Sequence, residues 1–459
     1  GSACFLRCVV GGLALQGQST GLRTLVAPAF RPSRGKEVTM RLEIGSFPVD
    51  EVDFGAQTSW TDGRLEIDRD GLLASIRSDA RITGASLELV RPGESVRVTS
   101  VRDVLEPRIK VQGQGSVYPG ICGRPVLPVG AGRTHRLDGI GVIEVAELDM
   151  YDGNDGWLDG FIDMSVESAT PIASNPNLCV VLEVDDALGL EDRNEAAHSA
   201  ALVVSDQLAA ATVGLEPPEL ETYELTEVDP SLPKAVYICC FRSPQHYANS
   251  LTAFWTSIYG MSRQTPPWVL HPNEILDGAI SVKTSWELIN NPTVKELYSR
   301  HGKDINFVGC IAIRTRWSSQ DEKDITSLQA AKTAQMLGAQ GAIISYDAGG
   351  NDFMEVIRTV QACENVGIKT VFVTGEEDPS TNGPPLLEPL PEARAIVSTG
   401  MGIEAGSGGP IPGVDRVIGQ KLLMADMSQR QNLVPSDGPL PGIRWTDHYG
   451  FSKISAFEY

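Results

Sequence analysis

The chain has 459 residues, 42% of them hydrophobic, and a net charge of −21 with no Lys/Arg cluster set against it. That length indicates two globular cores, and that charge lacks the electrostatic footprint a phosphate backbone requires, so nucleic acid is not an expected partner. Nowhere do 18 or more apolar residues run consecutively, so no membrane-spanning helix is expected.

Residues 1–39 read as a leader outside the fold. They carry a net charge of +4, which leaves −25 from Met40 onward. A basic, acid-poor stretch suits a transit peptide. Translated upstream sequence fits better, because Lys36-Glu37-Val38 can be encoded by AAG GAG GTG, a bacterial ribosome-binding sequence ahead of Met40. Cysteines stand at positions 4, 8, 122, 179, 239, 240, 310 and 363. They form no CxxC and no Cys/His set for zinc, and read as reduced, mostly buried thiols of a cytoplasmic protein.

From Met40 to about 213 the signals are those of strands. Arg41 to Ile44 and Ser95 to Thr99 alternate, and Asp62-Gly63 marks a hairpin turn between extended residues. A short helix is predicted at about 71–78, and the apolar runs 139–145 and 178–184 read as buried strands. A helix over about 193–211 closes this β-rich mixed domain. Residues 214–233, with four prolines, six acids and no periodicity, read as an exposed acidic linker.

Beyond the linker, residues 234–459 alternate strand and helix. Strands are predicted at 235–240, 305–313, 342–345 and 370–373. One helix opens at Asn291-Pro292-Thr293 and stops at Gly302. A second is capped by Thr326, with Leu328, Ala331, Ala334 and Leu337 on one face, and a third places Phe353, Val356, Ile357, Val360 and Cys363 at helical spacing. This rhythm predicts an α/β domain with a doubly wound parallel sheet, whose ligands gather at the carboxyl ends of the strands. That rule singles out Asp347, Gly349 and Gly350, then Thr374-Gly375-Glu376, then Ser398-Thr399-Gly400. Gly400 to Ala405 matches GxGxxA, but Gly-Ser-Gly-Gly-Pro follows where a phosphate-binding helix would begin, so a dinucleotide site is rejected. The Pro-rich loop 375–393 reads as a lid or a surface excursion.

Six ordered motifs then carry a resemblance: Arg91-Pro92-Gly93-Glu94-Ser95-Val96-Arg97, Glu106-Pro107-Arg108-Ile109-Lys110-Val111, Gly130-Ala131-Gly132-Arg133-Thr134-His135, Phe161-Ile162-Asp163-Met164-Ser165, Asp277-Gly278-Ala279-Ile280 and His301 to Gly309. With the tail Gly450-Phe451-Ser452-Lys453, the chain resembles the proprotein subunit of component B of the glycine, sarcosine and betaine reductases, with the D-proline reductase proprotein as nearest relative. The resemblance implies a subunit of a cytoplasmic, heteromeric, bacterial oxidoreductase of amino-acid metabolism. In that family a precursor cuts itself before a cysteine that becomes a pyruvoyl group, and a cysteine or selenocysteine on a partner subunit attacks the substrate.

The family's pyruvoyl cysteine belongs between the Asp277-Gly278-Ala279-Ile280 motif and Asn290. This sequence has none there, so the resemblance implies an uncleaved subunit with no pyruvoyl cofactor; Ser281 and Ser285 stand as improbable substitutes. A quaternary ammonium has no N–H to lose and cannot form an iminium, so a betaine-like substrate suits a pyruvoyl-free chain. The alternative is a non-catalytic scaffold or substrate-binding subunit.

Arg133 and His135 are candidates for a substrate carboxylate, against the reading of a structural turn. Asp163 could face a cationic nitrogen or cap a turn. His301 and Lys303 suit a helix end. Trp255, Tyr259, Trp268 and Trp286 suggest an aromatic box, against the commoner reading of core packing. No metal is expected.

Overall fold

The computed structural model describes residues 40–459 except 149–159, 167–169, 243–257, 262–266, 280–283, 316–318, 348–352, 376–389, 400–410, 425–432, 441–446, 452–454 and 458–459. Residues 1–39, expected to be a leader, and the GxGxxA match lie outside the described residues, as does most of the loop 375–393.

The first half runs β1 (Arg41–Pro48), β2 (Glu51–Gly55), β3 (Ser59–Thr61), β4 (Arg64–Asp68), α1 (Arg69–Ile76), β5 (Ile82–Val90), β6 (Val96–Leu105), β7 (Arg108–Gln112), β8 (Gly132–Asp138), β9 (Gly141–Ala146), β10 (Gly160–Asp163), β11 (Asn177–Val184), α2 (Leu190–Ala210) and β12 (Glu219–Glu224). Asp62 and Gly63 both adopt positive φ, 46° and 86°, which matches the twist of the β3–β4 hairpin and explains the Asp-Gly pair. The strands form a four-stranded sheet in the order β12-β1-β8-β7, a three-stranded sheet β2-β4-β3, and a six-stranded sheet built on β10-β6-β9-β11-β5. Alternate residues of β9 serve two cores: Val142 and Ala146 join the one packed by α2, Ile143 and Val145 the other.

The second half runs β13 (Lys234–Arg242), β14 (Trp268–Leu270), α3 (Pro272–Leu276), α4 (Ser285–Ile289), α5 (Pro292–Arg300), β15 (Asn306–Thr315), α6 (Gln320–Met336), β16 (Gly341–Tyr346), α7 (Phe353–Asn365), β17 (Lys369–Thr374), β18 (Ile396–Ser398), β19 (Arg416–Ile418), β20 (Leu422–Met424), β21 (Leu433–Pro435) and β22 (Ser455–Phe457). A seven-stranded sheet has the order β14-β15-β13-β16-β17-β18-β22, parallel except for its two edge strands. In β13, Val236, Ile238 and Cys240 turn toward α6 and α7, whereas Tyr237, Cys239 and Phe241 turn toward α3, α4, α5 and residues of β1. Helices therefore cover one face, but the other is shared with the four-stranded sheet. The fold is mixed α/β with several mixed sheets.

Three expectations change. Within the acidic stretch 214–233, β12 pairs antiparallel with β1 and buries Tyr223, so this part is an edge strand and not a free tether. Helix α6 begins earlier than expected: Ser319 caps it by accepting from the Glu322 amide, and the Thr326 hydroxyl bonds back to the Glu322 carbonyl. Its buried face is Ser327, Ala330, Ala331 and Ala334, with Leu328 exposed, because small residues allow α7 to approach closely and the Ser327 hydroxyl to donate to the Glu355 carbonyl. In α7, by contrast, all five residues of the expected apolar face are buried.

The C-terminal part returns to the first half. β19 lies parallel to β6, and the buried Arg97 guanidinium donates to the carbonyls of Ser436 (2.5 Å), Gly438 (2.9 Å) and Pro412 (3.2 Å). Residues Thr39–Tyr459 form one compact unit.

Candidate functional site

The segment Asp277–Asn291 joins α3 to α5, and it is fastened by side chains from the first half. At its start the buried Asp277 carboxylate accepts from Lys110 Nζ, from Thr134 Oγ1 (2.5 Å) and from the Gly130 amide (2.8 Å). Gly278 has φ +151°, and a Cβ there would stand 2.4 Å from the Tyr118 amide nitrogen, so only glycine allows the two backbones this approach. Tyr118 itself is left-handed, φ 58°.

At the other end, Asn290 Nδ2 donates to Glu106 (3.1 Å), and its Oδ1 accepts from Arg108 (3.1 Å) and Arg136 (3.0 Å). Arg108 also donates to Glu106 (2.5 Å) and to the Leu276 carbonyl. Both Arg108 and Glu106 side chains are fully buried. Burial pushes the Glu106 carboxyl up, but Arg108 and then Arg136 outweigh it, so the group sits below the usual range. A buried pair of this kind adds little net stability, yet losing one partner strands a charge.

Between these ends, the Ser285 amide and hydroxyl both donate to Asp103, at 2.7 and 2.6 Å. Burial raises the Asp103 carboxyl to about 6. Asn291 donates to the Tyr237 hydroxyl (3.0 Å), which meets Ser345 Oγ at 2.5 Å between β13 and β16. The tail closes over the segment: Thr293 donates to the Tyr449 carbonyl (2.8 Å), and Trp286 stacks on Phe451 with ring centroids 5.5 Å apart. Four motifs far apart in sequence (106–111, 130–135, 277–280 and the 450 tail) thus meet at one segment. The other two first-half motifs meet each other, through the buried Arg97–Asp163 pair at 2.7 Å.

A second polar group forms at the carboxyl ends of the parallel strands. Tyr346 and Thr374 hydroxyls lie 2.9 Å apart, the Thr399 hydroxyl donates to the Asp447 carbonyl (2.5 Å), and the His448 ring meets Tyr346 edge-on at 4.5 Å. Asp347 is buried here, its amide donating to the Cys240 carbonyl (3.1 Å). Gly349 and Gly350 lie outside the described residues, as do Glu376 and Gly400.

The remaining sequence candidates are engaged separately. Arg133 pairs with Glu43 at 2.8 Å on the neighbouring strand β1. His135 is buried against Phe47, its Nδ1 3.1 Å from the Thr212 carbonyl, and burial lowers its pKa. Asp163 is paired with Arg97, and its other oxygen accepts from the Ser165 amide at 3.0 Å. His301 caps α5 and accepts from the Phe307 amide at 3.1 Å, in line with the helix-end reading. Tyr259 bonds Glu274 (2.8 Å), and Trp286 stacks on Phe451, so these two rings are held by separate partners; Trp255 lies outside the described residues. Ser281 also lies outside them. Each of the six described cysteine thiols is raised, burial being the largest cause; Cys122, the one not fully buried, reaches about 12. None is poised as a thiolate near neutral pH.

Sequence reasoning missed Asp103, Glu144, His198 and Asn290. Asn290 had a signal in the Asn-Asn-Pro helix start; the other three had only the oddity of charged groups within apolar runs.

Among the described residues no group of His, Cys, Asp and Glu could hold a metal, and no helix is long and apolar enough to cross a membrane. A family model described as glycine/sarcosine/betaine reductase component B subunits matches residues 40–439. The chain is 33% identical to the sarcosine reductase complex component B subunit alpha of Peptoclostridium acidaminophilum, over 92% of this chain and 100% of that one. It is 35% identical to the betaine reductase complex component B subunit alpha of the same organism, over 79% and 84%. To that organism's glycine reductase complex component B subunits alpha and beta it is 32% identical, over 83% and 89%. No solved structure matches it.

Proposed function

Since the chain belongs to the family of glycine/sarcosine/betaine reductase component B subunits, we propose that it acts uncleaved and without a pyruvoyl group, holding a small betaine-like substrate while a partner subunit's thiol or selenol breaks a C–N or similar bond. The observation that carries this reading is the segment 277–291. It contains no cysteine, and the hydroxyl of Ser285 is committed to Asp103. Among the described residues of the segment there is thus no free thiol or serine hydroxyl from which the family's prosthetic group would form, which supports the uncleaved reading.

A substrate with a built-in leaving group needs no carbonyl to activate it. Attack at its α-carbon forms a bond from carbon to sulfur or selenium, and the C–N electron pair departs with a neutral tertiary amine. The raised thiols of this chain are poor nucleophiles at neutral pH, which supports placing the nucleophile on a partner. Residues proposed to meet the substrate are Asp347 at the strand ends, with Gly349 and Gly350 following it; Arg133, His135 and Asp163 would need to exchange their present partners first. That prior engagement favours the scaffold reading for those three positions.

The test has two parts. Intact mass after carbonyl labelling should show a single unlabelled chain, and the chain with its cysteine- or selenocysteine-bearing partner should turn over glycine betaine in preference to glycine. Two fragments with a reactive carbonyl, or a preference for glycine, would overturn the reading.

A further inference from the structure

Asp103 sits where β6 and β9 slip register: Val101 faces Val145, but Asp103 faces Glu144, leaving Arg102 as an extra residue on β6. A bulge of this kind re-aims the next side chain. On β6, Val98, Val101 and Val104 serve one core, while Leu105 serves the core packed by α2. Asp103 and Glu144 turn to that same α2-packed face. There His198 of α2 meets Glu144, Nδ1 to Oε2 at 2.6 Å, and Ser285 of α4 meets Asp103. Ser285 is 0% exposed, and Asp103, Glu144 and His198 are 4%, 2% and 5% exposed.

Two carboxylates, adjacent across the strands and cut off from water, cannot both carry an unbalanced charge. One imidazole is available to balance them. Its Nε2 has no partner among the described residues, nor has the buried Tyr118 hydroxyl, so Nε2 is where a second proton enters or leaves. The other charged groups are spent elsewhere: Arg97 on Asp163, Arg416 on Glu88 and Glu94, Arg124 on Asp206, and Arg102 on Asn194. Cys122, beside Glu195, stays a thiol.

The geometry points to Asp103 as a positioning residue: through the Ser285 amide and hydroxyl it fixes the start of α4 and hence residues 284–291, while the Glu144–His198 pair beside it supplies the proton that lets two carboxylates share this buried face. Three donors converge on Asp103, counting the Val104 amide at 2.7 Å, and hydrogen bonds to an ionised acceptor are the strong ones. Protonating Asp103 weakens all three together. Burial pulls His198 down, but Glu144 and Asp103 more than offset it and hold the ring above its ordinary value. The segment is therefore gripped most firmly where Asp103 is ionised and His198 still protonated. This rests on the reading of 277–291 as the working segment, but its test is separate.

Amide exchange of residues 284–291 is measured by mass spectrometry in the full chain between pH 5 and 8, corrected for intrinsic exchange. In the wild type it should quicken about tenfold as pH falls through 6, the combined weakening of the bonds to Asp103. Asp103→Asn should show the fast rate throughout with no pH dependence. Ser285→Ala, which keeps the charge and removes one donor, should exchange faster than wild type yet retain the pH dependence. An unchanged pH profile in Asp103→Asn, or a wild-type profile flat across this range, would overturn the proposal. Adding glycine betaine tests the other reading independently: failure to slow exchange at the strand end around Asp347 counts against the substrate site, whatever Asp103→Asn shows.

Discussion

The seven-stranded sheet and the segment 277–291 lie side by side but are held by opposite means. The sheet is fixed by apolar residues that recur along each strand and helix, such as Val236, Ile238, Val356 and Val360. The segment is fixed by charged and amide groups, Asp277, Asn290 and Ser285, each answered by a residue far away in the chain. Apolar burial is non-directional and tolerant, so many side chains share it. A buried polar clamp is directional, and removing one member leaves another unsatisfied.

The largest test of that contrast is Arg108→Met. It leaves the buried Glu106 with only Arg136, 3.8 Å away, as a counter-charge, loosens Asn290 and leaves the Leu276 carbonyl without this donor, so unfolding in urea should show a loss of about 3 kcal/mol. A loss no greater than that of a trimmed apolar residue would break the comparison. Next comes pH. A carboxyl raised to about 6 contributes stability that is fully present below its ordinary 3.8 and is lost as pH rises through 6. Wild type should therefore lose up to about 3 kcal/mol relative to Asp103→Asn between pH 4 and 6.5, read from urea midpoints at each pH. The global and local effects have opposite signs: ionising Asp103 costs the whole fold its desolvation, yet within the folded chain it tightens the bonds to Ser285. Glu106 runs the other way: its pKa is lowered from 4.5, so its contribution is present above that value and fades as pH falls below it. On the apolar side, Ile344→Val should cost only about 1 kcal/mol by the same measurement, because its neighbours in the sheet remain. Smallest is Arg133→Ala, which removes a partly exposed pair with Glu43; the change should stay under about 1 kcal/mol and shrink further at high salt.

The same contrast explains what the sequence can reveal. Periodicity exposes a side chain's relation to near neighbours, so β13, β15, β16, α7 and the Asp-Gly hairpin are legible. Helix α6 reads out of register because its buried face uses Ser and Ala, which carry little hydrophobic signal. The polar clamp has no periodicity at all. The Asn290–Glu106 bond spans a sequence separation of 184 residues, and nothing local to either residue announces the other. The motifs are recognisable as a set, but not the convergence of Lys110, Thr134 and Gly130 on Asp277. Arg133 and His135 look open to a ligand in sequence, whereas in the fold they have neighbours on β1 and at Thr212.

The Arg97 clamp bears on how the chain is made. Its acceptors at Ser436 and Gly438 follow it by 339 and 341 residues, and β6 gains its parallel neighbour β19 only from the same late stretch. Closing so long a loop is entropically slow, and chains emerge from the ribosome N-terminus first. Until residues 412–438 are made, then, the Arg97–Asp163 pair has no lid, and Val96–Val98 of β6 lack their β19 neighbour. A nascent chain halted before residue 412 should present the uncovered stretch Val96–Val98 of β6 to chaperones.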